Sequence, residues 1–237
     1  MGFGHAIAPN SDPEYRPEPT SMQDAQNGLS AFLGEQFEER RRNPGSDLFS
    51  DLLKIKYQGK PLSEEDLRGF GINYLLGGTE TTRNLIAQAL RELLDHPKEM
   101  RRFIDGEVST EMVVEEMLRF VTPVMHHSRW ATDTRNIAGQ TIQSGDRVTL
   151  WMTAANRDPA IFENPNELDL GRDPNPHIAL GSGGPHFCLG AHLARLEAVL
   201  TFDALRPHLA SLTLAGPPER VRSNFINGMK HLPLALG

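Results

Sequence analysis

The stretch GGPHFCLGAHLARLE, residues 183–197, contains the single cysteine of this 237-residue sequence, Cys188. Leucines follow the cysteine at steps of four, three and four residues, namely Leu189, Leu193, Leu196 and Leu200. This spacing predicts a helix that starts directly after the cysteine and ends near Pro207. We therefore expect Cys188 at a helix N-terminus, where free N–H groups and the positive end of the helix dipole stabilise a thiolate.

A lone cysteine cannot close an intramolecular disulfide, so it is a packed thiol, a nucleophile or a metal ligand. Glycines surround it at positions 181, 183, 184 and 190. Their lack of side chains is expected where backbone approaches a flat, bulky ligand, which favours a metal or cofactor ligand over a packed thiol. A catalytic thiol would find bases in His186 and His192, and a zinc site would need three further ligands. This stretch alone leaves three interpretations of Cys188 open, namely a cofactor ligand, a catalytic thiol and a zinc ligand.

The composition is that of a globular protein. The sequence has 24 Lys and Arg against 31 Asp and Glu, a net charge of -7, and 38% apolar residues. The negative charge argues against nucleic acid as a partner. No apolar run approaches the roughly 20 residues that span a bilayer, and the N-terminus lacks the pattern of a signal peptide. We expect a soluble, cytoplasmic protein without a membrane span.

The first part of the sequence predicts helices. Residues 1–20 are rich in proline, glycine and asparagine and are expected to form a loop. A helix is predicted from Ser21 to the stretch EERRRNPG. Its apolar face is expected to contain Leu29, Phe32, Leu33 and Phe37. A short helix is predicted at 47–55, and Ser63 is expected to cap a long helix that Pro97 ends.

The second part predicts one further helix, a strand and a long loop. The helix is expected around 110–121, and the stretch DRVTLWM alternates as a strand does. The apolar residues expected to share one face of that strand are Val148, Leu150 and Met152. Residues 156–187 show no periodicity, and irregular segments of this length are uncommon in compact domains unless they bind something. This loop leads directly into the cysteine.

The long helix carries the motif GGTETT, residues 77–82. Each interior glycine costs about 1 kcal/mol relative to alanine, and a threonine can return its hydroxyl to a backbone carbonyl and open the helix locally. One interpretation is a close helix crossing that needs small residues. The other is a kinked groove with room for a diatomic ligand, in which Glu80 and Thr81 deliver protons.

The stretch EEMLRF places Glu116 and Arg119 three residues apart on one helix face. Taken alone, such a pair is a common surface salt bridge that contributes little. The stretch FENPNELDLGR ends in Arg172, which could bring a second guanidinium to the same carboxylate. The pair would then lock the irregular loop against the helix.

Together these motifs resemble those of the cytochrome P-450 family, the haem-thiolate monooxygenases, in its soluble bacterial form. GGTETT is similar to the oxygen-binding motif, EEMLR to the Glu-x-x-Arg helix, FENPNELDLGR to the meander and GGPHFCLGAHLAR to the cysteine pocket. The resemblance implies a mainly α fold with small β-sheets (α+β), truncated at its N-terminus. Residues 1–237 would be one partial domain: a loop-like 1–20, distal-side helices at 21–96, and the Glu-x-x-Arg helix, sheet, meander and cysteine loop at 97–237.

The resemblance also implies roles for individual residues. Cys188 would be the axial thiolate of haem b, and Glu80 and Thr81 the acid and alcohol that supply protons. The residues implied in a structural triad are Glu116, Arg119 and Arg172. His186 and Arg129 match the positions that hold haem propionates. The glycines expected beside the cofactor are Gly78, Gly184 and Gly190. Leu180 departs from the pattern, because an aromatic residue usually stands at this position.

A member of this family would activate O2 to hydroxylate a small apolar substrate. No flavin or nicotinamide fingerprint occurs in the sequence, so a ferredoxin or flavodoxin would supply electrons and dock near basic residues such as Arg195. Family members carry a substantial N-terminal portion that this sequence lacks, so we also weigh a truncated, inactive haem-binding remnant that holds haem weakly. A zinc protein using Cys188 and histidines is the remaining alternative.

Overall fold

A computed structural model describes residues 11–15, 18 and 21–237 of the chain. The chain divides into two compact units, residues 1–81 and 82–237, and each is described by itself. The division falls within a long helix. In the described part of the chain, no helix is both long and apolar enough to cross a membrane.

The first unit is built from helices and one small hairpin. Its elements are α1 (Ser21–Arg42), α2 (Leu48–Leu52), β1 (Lys56–Tyr57), β2 (Lys60–Pro61) and the first half of α3 (Glu64–Asp95). The predicted loop over residues 1–20 lies largely outside the described residues. The helix predicted at 47–55 is shorter than expected and ends at Leu52.

Two N-terminal caps fix the helix starts in the first unit. Asp47 accepts hydrogen bonds at Oδ1 from the N–H groups of Phe49 and Ser50, at 3.0 and 3.2 Å. Ser63 caps α3 as predicted, because its hydroxyl accepts from the N–H of Asp66 at 3.1 Å. The carboxylate of Asp66 accepts in return from the N–H of Ser63 at 3.1 Å, so the two residues form a reciprocal capping box.

The core of the first unit follows a stripe along α1 at steps of four residues. Its buried members are Ala25, Leu29, Leu33 and Phe37, with Leu52 and Leu67 packed against them. Phe32 was expected on this face, and that expectation is wrong, because the side chain is 43% exposed. Phe32 follows Leu29 by three residues, which places it at the margin of the stripe.

The second unit combines helices with two-stranded antiparallel sheets. Its helices after α3 are α4 (Pro97–Ile104), α5 (Thr110–Val121), α6 (Met152–Ala155) and α7 (Ala191–Leu205), followed by a 3-10 turn (Arg206–Ser211). The paired strands are β3 (His126–Trp130) with β6 (Arg147–Trp151), β4 (Arg135–Ile137) with β5 (Gln140–Ile142), β7 (Leu212–Leu214) with β10 (Leu234–Leu236), and β8 (Glu219–Arg220) with β9 (Met229–His231). The expected mainly α fold with small β-sheets is confirmed.

One local expectation fails in the second unit, and one helix was not predicted. Pro97 ends α3 but also opens α4, which the sequence analysis missed, because proline is well tolerated at the first position of a helix. The strand predicted in DRVTLWM is β6, yet its expected apolar face is not formed. Leu150 is 47% exposed, and Met152 is buried as the first residue of α6 rather than as part of the strand.

Residues 156–190 contain no helix or strand, and the carboxylate of Glu116 on α5 holds this irregular segment in place. Arg119 binds both carboxylate oxygens, with its Nε at 2.8 Å and its Nη2 at 2.7 Å. Arg172 from the irregular segment donates to the same carboxylate at 3.2 Å. Asn175 and the N–H of Asp169 donate to it at 3.0 Å. Four groups from two parts of the chain therefore meet on one carboxylate.

Arg119 extends the same anchor to backbone carbonyls. Its Nη1 donates to the carbonyls of Asn156 and Pro165 at 2.9 and 2.8 Å, and its Nη2 donates to that of Glu167 at 3.0 Å. With the two bonds to Glu116, all five N–H donors of the guanidinium are satisfied. Both Glu116 and Arg119 are 0% exposed. The pair is thus a buried scaffold for the irregular segment and not a surface salt bridge.

A second anchor comes from α4. The carboxylate of Glu99 accepts from the N–H of Leu170 at 2.9 Å, and Arg102 donates to Asp169 at 3.1 Å. Leu170 itself is fully buried in the core of the second unit. The middle of the irregular segment is therefore fixed to two helices at once.

Glu116→Ala should strongly destabilise the second unit. The substitution leaves Arg119 buried without its counter-charge, and breaking a buried pair in this way costs about 3–5 kcal/mol. We expect a lower thermal midpoint and loss of soluble protein on expression.

The matched control is Asp133→Ala, which removes the partner of Arg135 in a pair whose side chains are 73% and 66% exposed. Exposed pairs of this kind contribute little, so its melting temperature should stay at the parent value. Equal melting temperatures for Glu116→Ala and the parent would show that Glu116 does not anchor the segment.

Candidate functional site

Cys188 lies at the end of the irregular segment, held by its backbone. Its N–H donates to the carbonyl of Leu180 at 2.9 Å, and its carbonyl accepts from the N–H of Ala191 at 3.1 Å. Helix α7 begins at Ala191, so the cysteine stands one short turn before the helix and not directly against it. The thiol is free and half-buried.

The glycines near Cys188 differ in the reason for their presence. Gly181, Gly183 and Gly184 have φ angles of 92°, 102° and 77°, in the left-handed region that favours glycine. The backbone of the loop therefore requires glycine at these three positions. Gly190 has an ordinary φ of -84°. A Cβ atom built at Gly183, Gly184 or Gly190 would meet no atom within 4 Å, so space is open beside the loop.

Basic side chains from β3 and from the loop before Cys188 lie within electrostatic reach of one another. Burial and then the charges of Arg129, His126 and His186 lower the pKa of His127. No carboxylate contributes to this shift, so the surroundings of His127 favour an anionic group. His127 and Arg129 lie on β3, and His186 lies in the loop two residues before the cysteine. The expected propionate residues Arg129 and His186 are thus close enough to act on the same side chain.

His126 completes this group. Its ring packs edge-on against the rings of Trp151 and Phe225, with distances of 4.7 and 5.5 Å between ring centroids. Its Nδ1 is buried and has no hydrogen-bond partner among the described residues. Open space beside a free thiol, together with a group of basic side chains that pairs with no carboxylate among the described residues, fits a flat, thiolate-ligated cofactor that carries acid groups. Haem has these properties.

The described residues contain no cluster of three potential metal-ligating side chains. A structural zinc site needs four ligands, and Cys188 could only be joined by histidines. This finding does not favour the zinc alternative.

Gly78, Glu80 and Thr81 belong to the first unit, on α3. The helix continues without a break through GGTETT, so the expected local opening is not found. Thr81 donates its hydroxyl to the carbonyl of Gly77 at 2.6 Å, as expected of a threonine within a helix. Glu80 is buried, at 8% exposure. A Cβ at Gly77 or Gly78 would meet open space, so no close helix contact within the described residues requires these glycines.

The apolar face of α7 is exposed in the second unit. The leucines that predicted the helix, Leu189, Leu193, Leu196 and Leu200, are between 54% and 79% exposed. The buried face of α7 is formed instead by Ala191, Ala198 and Phe202. The periodicity identified the helix but not the side that faces the core.

A second cluster, which the sequence did not predict, is centred on the carboxylate of Glu115, one residue before Glu116. Glu115 binds Arg195 through two hydrogen bonds, and His177 through a third. Arg195 was expected at a docking surface for a redox partner, whereas its guanidinium is engaged by this carboxylate. The adjacent glutamates in EEMLR were the only available signal, because the partners lie 62 and 80 residues further along the chain.

Comparison with known proteins gives a consistent result. The cytochrome P-450 family model matches residues 108–205, which include the Glu116 anchor and the Cys188 loop. The methyl-branched lipid omega-hydroxylase of Mycobacterium tuberculosis is 36% identical over 237 residues, covering 99% of this chain and 53% of that protein. The linalool 8-monooxygenase of Pseudomonas putida is 34% identical, with coverage of 98% and 57%.

A solved structure shows the same fold. A Mycobacterium marinum cytochrome P-450 in complex with pseudoionone superposes with a TM-score of 0.92 at 33% identity, over 99% of this chain and 57% of that one. The chain thus spans about half the length of the curated relatives it matches. Family model, relatives and structure agree with the four motifs, and the chain belongs to the cytochrome P-450 family.

Proposed function

We propose that the chain provides the thiolate and oxygen-activating residues of a haem-thiolate monooxygenase that hydroxylates a small apolar organic substrate. The observation that carries this proposal is the free Cys188 in a glycine-rich loop just before α7, with open space beside it. The methyl-branched lipid hydroxylase and linalool monooxygenase among its relatives support both the reaction class and an apolar substrate.

The cofactor we propose is haem b. The sulfur of Cys188 would ligate the iron, Arg129 and His186 would bind the propionates, and Gly184 and Gly190 would leave room for the macrocycle. A haem iron with a thiolate ligand supplies the chemistry that cleaves the O–O bond of dioxygen. The Cys188 backbone, held at both its N–H and its carbonyl, would keep the sulfur in a fixed position.

Protons are the second requirement of this reaction, and we assign them to Glu80 and Thr81. The Thr81 hydroxyl donates a hydrogen bond to the carbonyl of Gly77. Glu80, the residue before Thr81, carries a buried carboxyl group. A hydroxyl can pass on a proton while admitting little water to the site. The open space at Gly78 would leave room for a small ligand such as O2 beside this pair.

The electron donor we propose is a small ferredoxin or flavodoxin. Members of this family generally take electrons from a redox partner, and the relatives named above are monooxygenases, whose reaction consumes electrons. The donor would dock near basic residues such as Arg195, whose side chain is bound to Glu115 and remains 32% exposed.

Cys188→Ser should abolish thiolate ligation. In the ferrous carbon monoxide state, we expect the parent protein loaded with haem to show the red-shifted Soret band of a thiolate ligand, and the variant to lose it. His192→Ala, which alters an exposed histidine on α7, should leave the spectrum unchanged. A red-shifted band that persists in Cys188→Ser would refute the ligand assignment, and bound zinc without a Soret band would favour the zinc alternative.

Thr81→Ala should leave haem content unchanged but divert reducing equivalents to hydrogen peroxide, because only proton delivery is disturbed. We expect product formed per reduced cofactor consumed to fall about tenfold or more, since positioned proton donors contribute at least this much. The measurement compares product and peroxide yields in the haem-loaded protein.

Thr79→Ala is the matched control. Thr79 makes the same hydroxyl-to-carbonyl bond, to Leu75 at 2.6 Å, two residues earlier on α3. The Thr79→Ala variant should form as much product per reduced cofactor consumed as the parent. If Thr81→Ala and Thr79→Ala behave alike, GGTETT has only a structural role.

A further inference from the structure

The carboxylate of Glu115 joins α5 to the two stretches of chain that flank Cys188. Arg195 from α7 donates from Nε to Oε1 at 2.6 Å and from Nη2 to Oε2 at 2.9 Å, a two-point contact that fixes the orientation of both side chains. His177 from the irregular segment contacts Oε2 through Nε2 at 2.9 Å. Glu115 itself lies on α5 beside Glu116.

The hydrogen bonds of His177 fix the orientation of its ring. The N–H of Ala179 donates to Nδ1 at 3.3 Å. Nε2 contacts Oε2 of Glu115 at 2.9 Å. The side chain is 3% exposed, and both ring nitrogens have partners. His177 is therefore an oriented link between the irregular segment and Glu115.

The charges of Glu115 and Arg195 follow from their mutual hydrogen bonds. Burial acts to raise the pKa of Glu115, but hydrogen bonds from Arg195 and His177 outweigh it and lower the pKa to about 2. Hydrogen bonds to Glu115 raise the pKa of Arg195, and the charges of Glu115 and then of Cys188 add to this effect. At neutral pH Glu115 is thus a carboxylate and Arg195 a guanidinium, and the contribution of Cys188 to the pKa of Arg195 places the two side chains within electrostatic reach of each other.

His177 and Arg195 lie on either side of the cysteine in the chain. We define residues 177–190 as the Cys188 segment, which runs from His177 to the residue before α7. One end is tied to Glu115 through His177, and the helix that follows the other end is tied to the same carboxylate through Arg195. The sulfur is held between two points fixed to one side chain of α5.

We propose that Glu115, His177 and Arg195 form a positioning cluster that fixes the Cys188 segment and holds a positive charge near the sulfur, and so sets the reduction potential of the ligated haem. The three residues act through Cys188 and touch no reacting atom. The part concerning the potential rests on the proposed function, whereas the fixing of the segment does not.

Hydrogen exchange in the chain without cofactor tests the fixing of the segment. In Glu115→Gln and Arg195→Gln, amides of the Cys188 segment should exchange about tenfold faster than in the parent. The parent segment must break the Glu115–Arg195 ion pair to open, whereas in the variants this pair is absent and opening costs less free energy. Amides of β3 and β6 should keep their rates. Arg101→Gln, which removes an exposed pair with Asp105, is the control and should change neither region.

Unchanged exchange in the Cys188 segment, or a uniform increase over residues 82–237, would overturn the positioning role. If Glu115→Gln does not fold, Arg195→Lys and Arg195→Gln provide the same comparison. Lysine keeps the charge but cannot make the two-point contact. Amide exchange rates of the Cys188 segment in Arg195→Lys should therefore lie between those of the parent and of Arg195→Gln.

The reduction potential of the haem-loaded protein tests the role of the charge. Arg195→Gln removes a cation that favours the added electron, so its potential should be more negative than that of the parent. Glu115→Gln leaves that cation less neutralised, so its potential should be more positive, and the double variant should lie between the two. A merely structural role would shift both single variants in the same direction, and that result would overturn the electrostatic part.

The two proposals fail in different ways. If Cys188→Ser retains the thiolate spectrum, or if no thiolate-ligated haem forms, the proposed function fails and the electrostatic part fails with it. The exchange rates of the Cys188 segment would still decide whether the cluster fixes it.

Discussion

The buried pair of Glu116 and Arg119 is the interaction on which the second unit depends. A guanidinium without access to water must find an acceptor for every N–H group, and Arg119 finds five. Three of them are carbonyls of the irregular segment, which has no helix or sheet to satisfy its own backbone. The segment therefore supplies hydrogen-bond acceptors to the buried guanidinium, and the guanidinium supplies donors to backbone carbonyls of the segment. Dispersed loop residues become a fixed part of the core.

The same helix then determines where the cysteine lies. Glu115 and Glu116 are neighbours on α5, yet they bind different parts of the following chain. Glu116 holds Asp169, Arg172 and Asn175, while Glu115 holds His177 and Arg195. The carboxylates thus bind successive stretches of chain in order, from the middle of the irregular segment to the helix beyond Cys188. A site built on a loop gains the rigidity of a helix in this way.

Much of this arrangement could be predicted from the sequence, and the limits have physical reasons. Local signals worked: Ser63 capped its helix, the leucine spacing identified α7, and the mainly α fold followed from the motifs. Helical spacing reports a period and not the identity of the neighbour, so Phe32 is expected on the buried face of α1 but is exposed, and the leucine spacing predicts α7 without showing which side faces the core. Contacts such as Glu115 with His177 join residues far apart in the chain, and a single sequence contains no record of which distant partner a carboxylate selects. Pro97 ends α3 as predicted, but a proline pattern does not show whether a new helix begins at the same residue, as α4 does.

The five bonds of Arg119 also impose an order on folding. Its carbonyl acceptors lie 37 to 48 residues later in the chain, so α5 is synthesised seconds before they exist, at roughly 5–20 residues per second. During that interval Arg119 can pair with Glu116 but must keep its remaining donors in water. The face of α5 that carries the pair therefore stays hydrated until the irregular segment arrives. We therefore expect closure of the core around α5 and docking of the segment to occur as one cooperative event, which a nascent chain ending before Glu167 lacks an acceptor to complete.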